Sequence, residues 1–251
     1  MSTLTNPRNL TISQASNLIS RRLLSPVDLV IDLLEVTQEH EDLLHVWSYM
    51  DPSSTLDKAH ICEQEIESGK YKGPMHGIPI GVKDIYFTED MKTTCGSPIY
   101  KSFFSNYDAK TVKALRSSGA IIMGKTVTTQ FASGDPPVTK NPWNLERTPG
   151  GSSSGSAVGV AARFFPAALG SQTAGSVLRP AAYNGIVGFK PTYGLISESG
   201  VHPVAPSLDT VGWFTRCVKD SRLLLQNLMK FASNTENINT SDETSVNNDD
   251  L

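Results

Sequence analysis

Residues 148–156 read TPGGSSSGS, and the reading of that run decides between two organisations. As a Gly/Ser linker it would separate two small domains, because such runs behave as flexible coil. As a shaped loop it would lie inside a single α/β domain, its glycines giving the backbone freedom to turn. The flanks carry the decision. After the run, SAVGVAARFF has helical character, PAALGSQTAGS reads as a strand ending in a tight glycine turn, and IVGFKP is another short strand.

Further out the pattern repeats. Ser25-Pro26 opens a helix, with Pro at its first position and Leu29, Leu33 and Val36 on one face. A second amphipathic stretch runs from about Ser54 to Ser68 and stops at Gly69. In GPMHGIPIGVKD the period changes: Ile78, Ile80 and Val82 alternate and lead to Lys83, as in a strand. Asp108 is placed to cap a helix through Val112 and Leu115, Gly119 ends it, and AIIMG suits a buried strand. VKDSRLLLQNLMKF closes the series as a helix. Helices alternating with short apolar strands predict an α/β/α fold, a mixed, largely parallel sheet flanked by helices. Residues 1–232 form this domain. Residues 233–251 carry only acidic charge and few apolar side chains, and read as a disordered tail.

The 251 residues are 39% hydrophobic and 19% charged with a net charge of -3, which fits a globular protein and offers no basic surface for nucleic acid or an anionic membrane. Neither kind of partner is expected. Cys62, Cys95 and Cys217 are scattered and fall in no ligand spacing, so they read as reduced thiols. With no signal segment or membrane span evident, a cytoplasmic location is the default expectation.

Two motifs carry less than their patterns suggest. GAIIMGKT, residues 119–126, satisfies GxxxxGK[ST]. Its middle positions are an apolar strand, however, whose amides belong to a sheet ladder and cannot cradle phosphate. His40, His45, His60 and His202 lie in no metal-ligand spacing. His76, near a strand end, reads as a satisfied structural histidine, since no GxSxG elbow presents a serine to it. No metal or cofactor is expected.

The chemistry concentrates elsewhere. Ser176 follows Thr173-Ala174-Gly175, where small residues allow a tight turn, and a short helix beginning near Ser176 would aim free amides into the same space. That suits a nucleophile with a backbone oxyanion hole. A serine needs a base. A lysine serves when burial keeps it neutral, and Lys83, ending the apolar strand, is the candidate.

These blocks resemble the amidase signature family of Ser-cisSer-Lys hydrolases, in GPMHGIPIGVKD, GAIIMGKT, NPWNLERTPGGSSSGSA and GSQTAGSVLRPAAYNGIVGFKPTYG, over roughly residues 10–230. The resemblance implies an amidase cleaving a carboxamide C–N bond in a small-molecule substrate. It implies that Ser176 is the nucleophile and that Ser152, after a cis peptide bond from Gly151, relays its proton to Lys83. It also implies an oxyanion site of the Thr173, Ala174, Gly175 and Ser176 amides. Gly150, Gly151 and Ser153 would support the loop, with Ser153 hydrogen-bonded inside it, and Arg179 would form a structural ion pair. The run 148–156 is then a catalytic loop and not a linker.

Departures from the family pattern accompany the match. Gln172 stands where many members carry Asp, Ala174 and Ser154 replace glycines, and Arg179 falls one place later than usual. These variants lean away from the amidotransferase subunits that act on misacylated tRNA. Family domains also normally continue for about as long again. That implies a partial domain whose sheet is completed by a partner chain or by self-association. The alternative is a catalytically silent homologue acting as an interaction subunit.

Overall fold

The structure, a computed structural model, describes residues 6–134 and 136–242. Six strands form one sheet in the order β1-β3-β2-β4-β6-β5. They are β1 (Trp47–Met50), β2 (Pro79–Lys83), β3 (Ile121–Thr126), β4 (Ala167–Gln172), β5 (Val187–Phe189) and β6 (Thr210–Thr215). The centre is parallel, β2 pairing with β3 on one side and β4 on the other. Parallel neighbours need crossovers, and α4 (Lys110–Ser117) and α5 (Ser154–Ala161) lie in the two that join these strands. Strands β1, β6 and β5 add antiparallel pairings on the flanks. The sheet is mixed as expected, with its parallel share confined to β3-β2-β4.

Helices α1 (Ile12–Ser20), α2 (Pro26–Leu44), α3 (Pro52–Glu67), α6 (Leu178–Asn184) and α7 (Val218–Asp242) complete the domain. Helix α2 starts where its sequence dictates, with Pro26 first and Ser25 Oγ accepting the Val27 N–H at 2.9 Å. Helix α3 starts before Ser54 because Asp51 caps it, accepting from Ser53 and Ser54. Asp108 does not cap α4. Its carboxylate accepts the Glu89 N–H at 3.0 Å and pairs with Arg116, and α4 begins one residue later than that cap would place it. Helices α1 and α7 are joined by a long-range cap: Asp220 of α7 accepts the Ile12 and Ser13 amides of α1 at 2.8 and 3.0 Å. Residues 243–251 of the expected tail lie outside the described residues. Among the described residues no helix is long and apolar enough to cross a membrane.

Strands β2, β3 and β6 are buried at every position, which is why their apolar runs are nearly continuous. Helix α5 approaches the sheet through one ring. Phe165 is fully buried, and a Cβ on Gly81 of β2 or Gly159 of α5 would lie 2.8 or 2.1 Å from its ring atoms. Glycine at both positions lets the ring fill the gap between helix and strand. At Gly175, by contrast, an added Cβ meets nothing nearer than 3.8 Å. Gly159→Ala is therefore expected to lower stability by about 1–3 kcal/mol through overpacking, and Gly175→Ala to stay within about 0.5 kcal/mol. Urea midpoints at constant m check both.

Candidate active site

Lys83 ends β2 and is completely buried. Its Nζ lies 2.8 Å from Ser152 Oγ and 2.9 Å from Ser171 Oγ. No carboxylate pairs with it among the described residues. Burial therefore dominates and pushes its pKa down to about 7, with the more distant charge of Asp209 opposing the fall. Ser152 is 1% exposed and follows a cis Gly151–Ser152 peptide bond.

The second half of the site is the turn between β4 and α6. Among the described residues, the amides of Thr173, Ala174, Gly175 and Ser176 donate to no protein acceptor, and the Ser176 hydroxyl makes no hydrogen bond. The next two amides, of Val177 and Leu178, are both held at 2.9 Å by Gln172 Oε1. Helix α6 thus begins two residues after Ser176 and leaves a run of four free donors beside it. The turn meets the 148–156 loop through the backbone, the Ser153 N–H reaching the Ser176 carbonyl at 3.4 Å. The structure joins Lys83 to Ser152 directly. It brings Ser176 to the same loop by its main chain.

Several supports are not legible in the sequence or read differently there. Ser153 does not hydrogen-bond inside its own loop. Its Oγ bridges the Ser171 N–H and C=O, each at 3.3 Å, and so fastens the loop to β4. Arg179 forms no ion pair among the described residues. It grips the Gly151 carbonyl with Nε at 3.1 Å and a terminal nitrogen at 2.7 Å. Gly150 has φ +76°, and a Cβ there would lie 3.0 Å from the Pro180 Cα. Gly151 lies outside the left-handed region, and a Cβ on it would meet only the Thr129 methyl, at 3.2 Å. Ser171 and Asp209 escape sequence reasoning altogether. Both line a pocket of about 110 Å³ with Glu198 and His202. The one available signal is that Ser171 stands on the strand that delivers Ser176.

The other sequence candidates are committed to structure. Lys125, the lysine of GAIIMGKT, is fully buried on β3 and pairs with buried Asp84 at 3.3 Å. It also donates to the Tyr86 carbonyl at 2.6 Å and Thr93 Oγ1 at 2.7 Å, which leaves nothing to meet a phosphate. Cys62, Glu65 and His76 bring ligand atoms within 4.8 Å of one another. His76 Nδ1, however, accepts the Lys72 backbone N–H at 3.0 Å, so Nε2 carries the ring proton and donates it to Glu65, also at 3.0 Å. Lys72 Nζ occupies both Glu65 oxygens at 2.8 and 2.7 Å. A metal needs a bare ring nitrogen. This network offers none.

The amidase family matches residues 28–249, and the chain belongs to that family. Among its relatives is a glutamyl-tRNA(Gln) amidotransferase subunit of Alkaliphilus metalliredigens, 42% identical over 79% of this chain and 42% of that protein. Among solved structures it is similar to the peptide amidase of Stenotrophomonas maltophilia, with 33% identity and a TM-score of 0.84 over 88% of this chain and 48% of that one. It is also similar to the corresponding glutamyl-tRNA(Gln) amidotransferase subunit of Thermotoga maritima, with 35% identity and a TM-score of 0.75 over 91% and 48%. The chain spans less than half the length of these relatives. Despite the variants at 154, 172 and 174, amidotransferase subunits are thus among the proteins it resembles.

The depressed pKa of Lys83 has a consequence for stability. Unfolded, the lysine titrates near its usual 10.5; folded, it titrates near 7. As pH falls from about 10.5 to about 7, the unfolded chain takes up a proton that the native state does not, and the native state loses ground. Lys83→Met, of similar length and without the amine, is expected to gain stability over wild type progressively across that window, by up to about 5 kcal/mol, and to level off below it. Denaturant titrations at pH 10, 8.5 and 7, at roughly the ends and middle of that window, provide the check.

Proposed function

We propose that this chain carries a serine amidase centre acting on carboxamide C–N bonds. The observation that carries the reading is a buried amine in contact with Ser152, on a loop bonded to a turn that presents four unengaged amides and a free serine hydroxyl. In the proposed cycle Ser176 Oγ attacks the carbonyl carbon and gives its proton to Ser152 Oγ, whose own proton passes to the Lys83 lone pair. The amides of residues 173–176 receive the developing oxyanion. Collapse breaks the C–N bond, and the Lys83 proton returns through Ser152 to the leaving amine. Water then hydrolyses the acyl-serine by the same route in reverse.

The names of the relatives, a peptide amidase and an amidotransferase, support a carboxamide substrate. No metal or cofactor takes part in the proposed cycle. The proposal includes a partner chain or second copy pairing with β5, which is the last strand of the sheet. The silent-homologue reading predicts an inert Ser176.

Intact-mass labelling with a fluorophosphonate separates these readings. A single adduct on wild type, lost in Ser176→Ala and reduced at least about 100-fold in rate in Lys83→Ala, is the expected result. Folded wild type without an adduct would favour the silent homologue. The labelling rate is also expected to rise with pH through about 7, where Lys83 loses its proton. A rate flat between roughly pH 5 and 9 would remove Lys83 as the base.

A further inference from the structure

Asp209 immediately precedes β6, and the pairing of Thr210 with Gln172 sets it opposite the end of β4, where the free amides begin. One of its oxygens accepts the Thr173 hydroxyl. The other accepts the Val204 and Ala205 amides at 2.8 and 2.9 Å. A single carboxylate thus ties the first residue of the amide run to Val204 and Ala205 through three donors. Asp209 also shares its pocket with Ser171, whose hydroxyl lies 2.9 Å from Lys83 Nζ. It therefore touches one half of the site through Thr173 and borders the other half through Ser171.

We propose that Asp209 is a positioning residue of the amidase centre, holding Thr173 so that the amides of residues 173–176 converge, and setting a carboxylate on the pocket it shares with Ser171, the neighbour of Lys83. The inference rests on the serine amidase reading. The two effects separate chemically. The hydrogen bond to Thr173 orients the oxyanion site and governs how fast Ser176 reacts once Lys83 is neutral. The charge favours the lysine's protonated form and governs the pH at which it becomes neutral. Other ionisable groups facing this region are Cys95, whose thiol is kept neutral by the burial that pushes its pKa up to about 12, and Glu198 and His202 on the pocket wall. Burial and the nearby Asp209 both raise the Glu198 pKa.

Fluorophosphonate labelling rates across pH test both effects. Asp209→Asn keeps a polar side chain that can bridge Thr173 and the 204–205 amides but lacks the charge. Its plateau rate is expected within about threefold of wild type, with the midpoint moved to lower pH by about half a unit or more. Thr173→Val removes the hydroxyl alone. Its plateau is expected to fall at least about tenfold with the midpoint unchanged, and Thr173→Ser to restore it. A wild-type plateau in Thr173→Val, or an unmoved midpoint in folded Asp209→Asn, overturns the inference while leaving Ser176 and Lys83 in place. An unlabelled wild type, or labelling that survives Ser176→Ala, overturns the amidase reading and this inference with it. Should Asp209→Asn not fold, Thr173→Val and its serine rescue decide the matter alone.

Discussion

A lysine amine is buried on β2 against two hydroxyls, with no carboxylate paired to it among the described residues, and the arrangement of the site follows from that constraint. Its neighbour in the sheet shows what the alternative looks like. The β2–β3 register sets Val82 opposite Lys125 and Lys83 opposite Thr126, so two fully buried lysines stand on adjacent strands. Lys125 has Asp84 and three further oxygens within 3.3 Å, and the Asp84 carboxylate offsets part of the burial that lowers its pKa. Among the described residues Lys83 Nζ has only Ser152 and Ser171 as hydrogen-bond partners, hydroxyls that either donate or accept. Uncompensated burial makes the neutral amine the better-tolerated form. One lysine holds the sheet together, and the other is left free to accept a proton.

That contrast requires two loops of small residues to close over Lys83 without bringing in an anion. Phe165 sets the depth. Wedged against Gly81 and Gly159, it seats α5 on the sheet, and the loop preceding α5 comes with it. Three contacts then fix the loop laterally: Ser153 to the β4 backbone, Arg179 to the Gly151 carbonyl, and the close approach of Gly150 to Pro180. The Arg179 guanidinium spends its charge on a backbone carbonyl and forms no ion pair among the described residues.

How much of this can be read from sequence depends on how local each signal is. Strands β2, β3 and β4 and helices α2, α3 and α5 are legible because their apolar periods and caps lie within a few residues. Strands β1 and β6 are not. Trp47–Met50 mixes half-buried and exposed positions, and Thr210–Thr215 is buried on both faces with a glycine in its middle, so neither shows a clean period of two. The candidate residues of the site stand in motif blocks. Their supports do not, because the partner of Ser153 is 18 residues away, that of Arg179 is 28 and that of Thr173 is 36. Such pairings are made by strand order, which no local pattern reports. Asp108 fails as a cap for the same reason: Arg116 and the Glu89 amide compete for it.

Gln172 shows how the site tolerates a departure from its family. The position must supply an acceptor for the first two amides of α6, and the amide oxygen of glutamine does so with two bonds of 2.9 Å. A carboxylate would make the same bonds and gain from the helix N-terminus. It would also place a second negative charge one residue from Ser171, whose hydroxyl contacts Lys83. Asp209 already opposes the neutral lysine, and another anion would push in the same direction. Glutamine keeps the geometry and omits the charge, so the turn that presents Ser176 is preserved while Lys83 stays poised near neutrality.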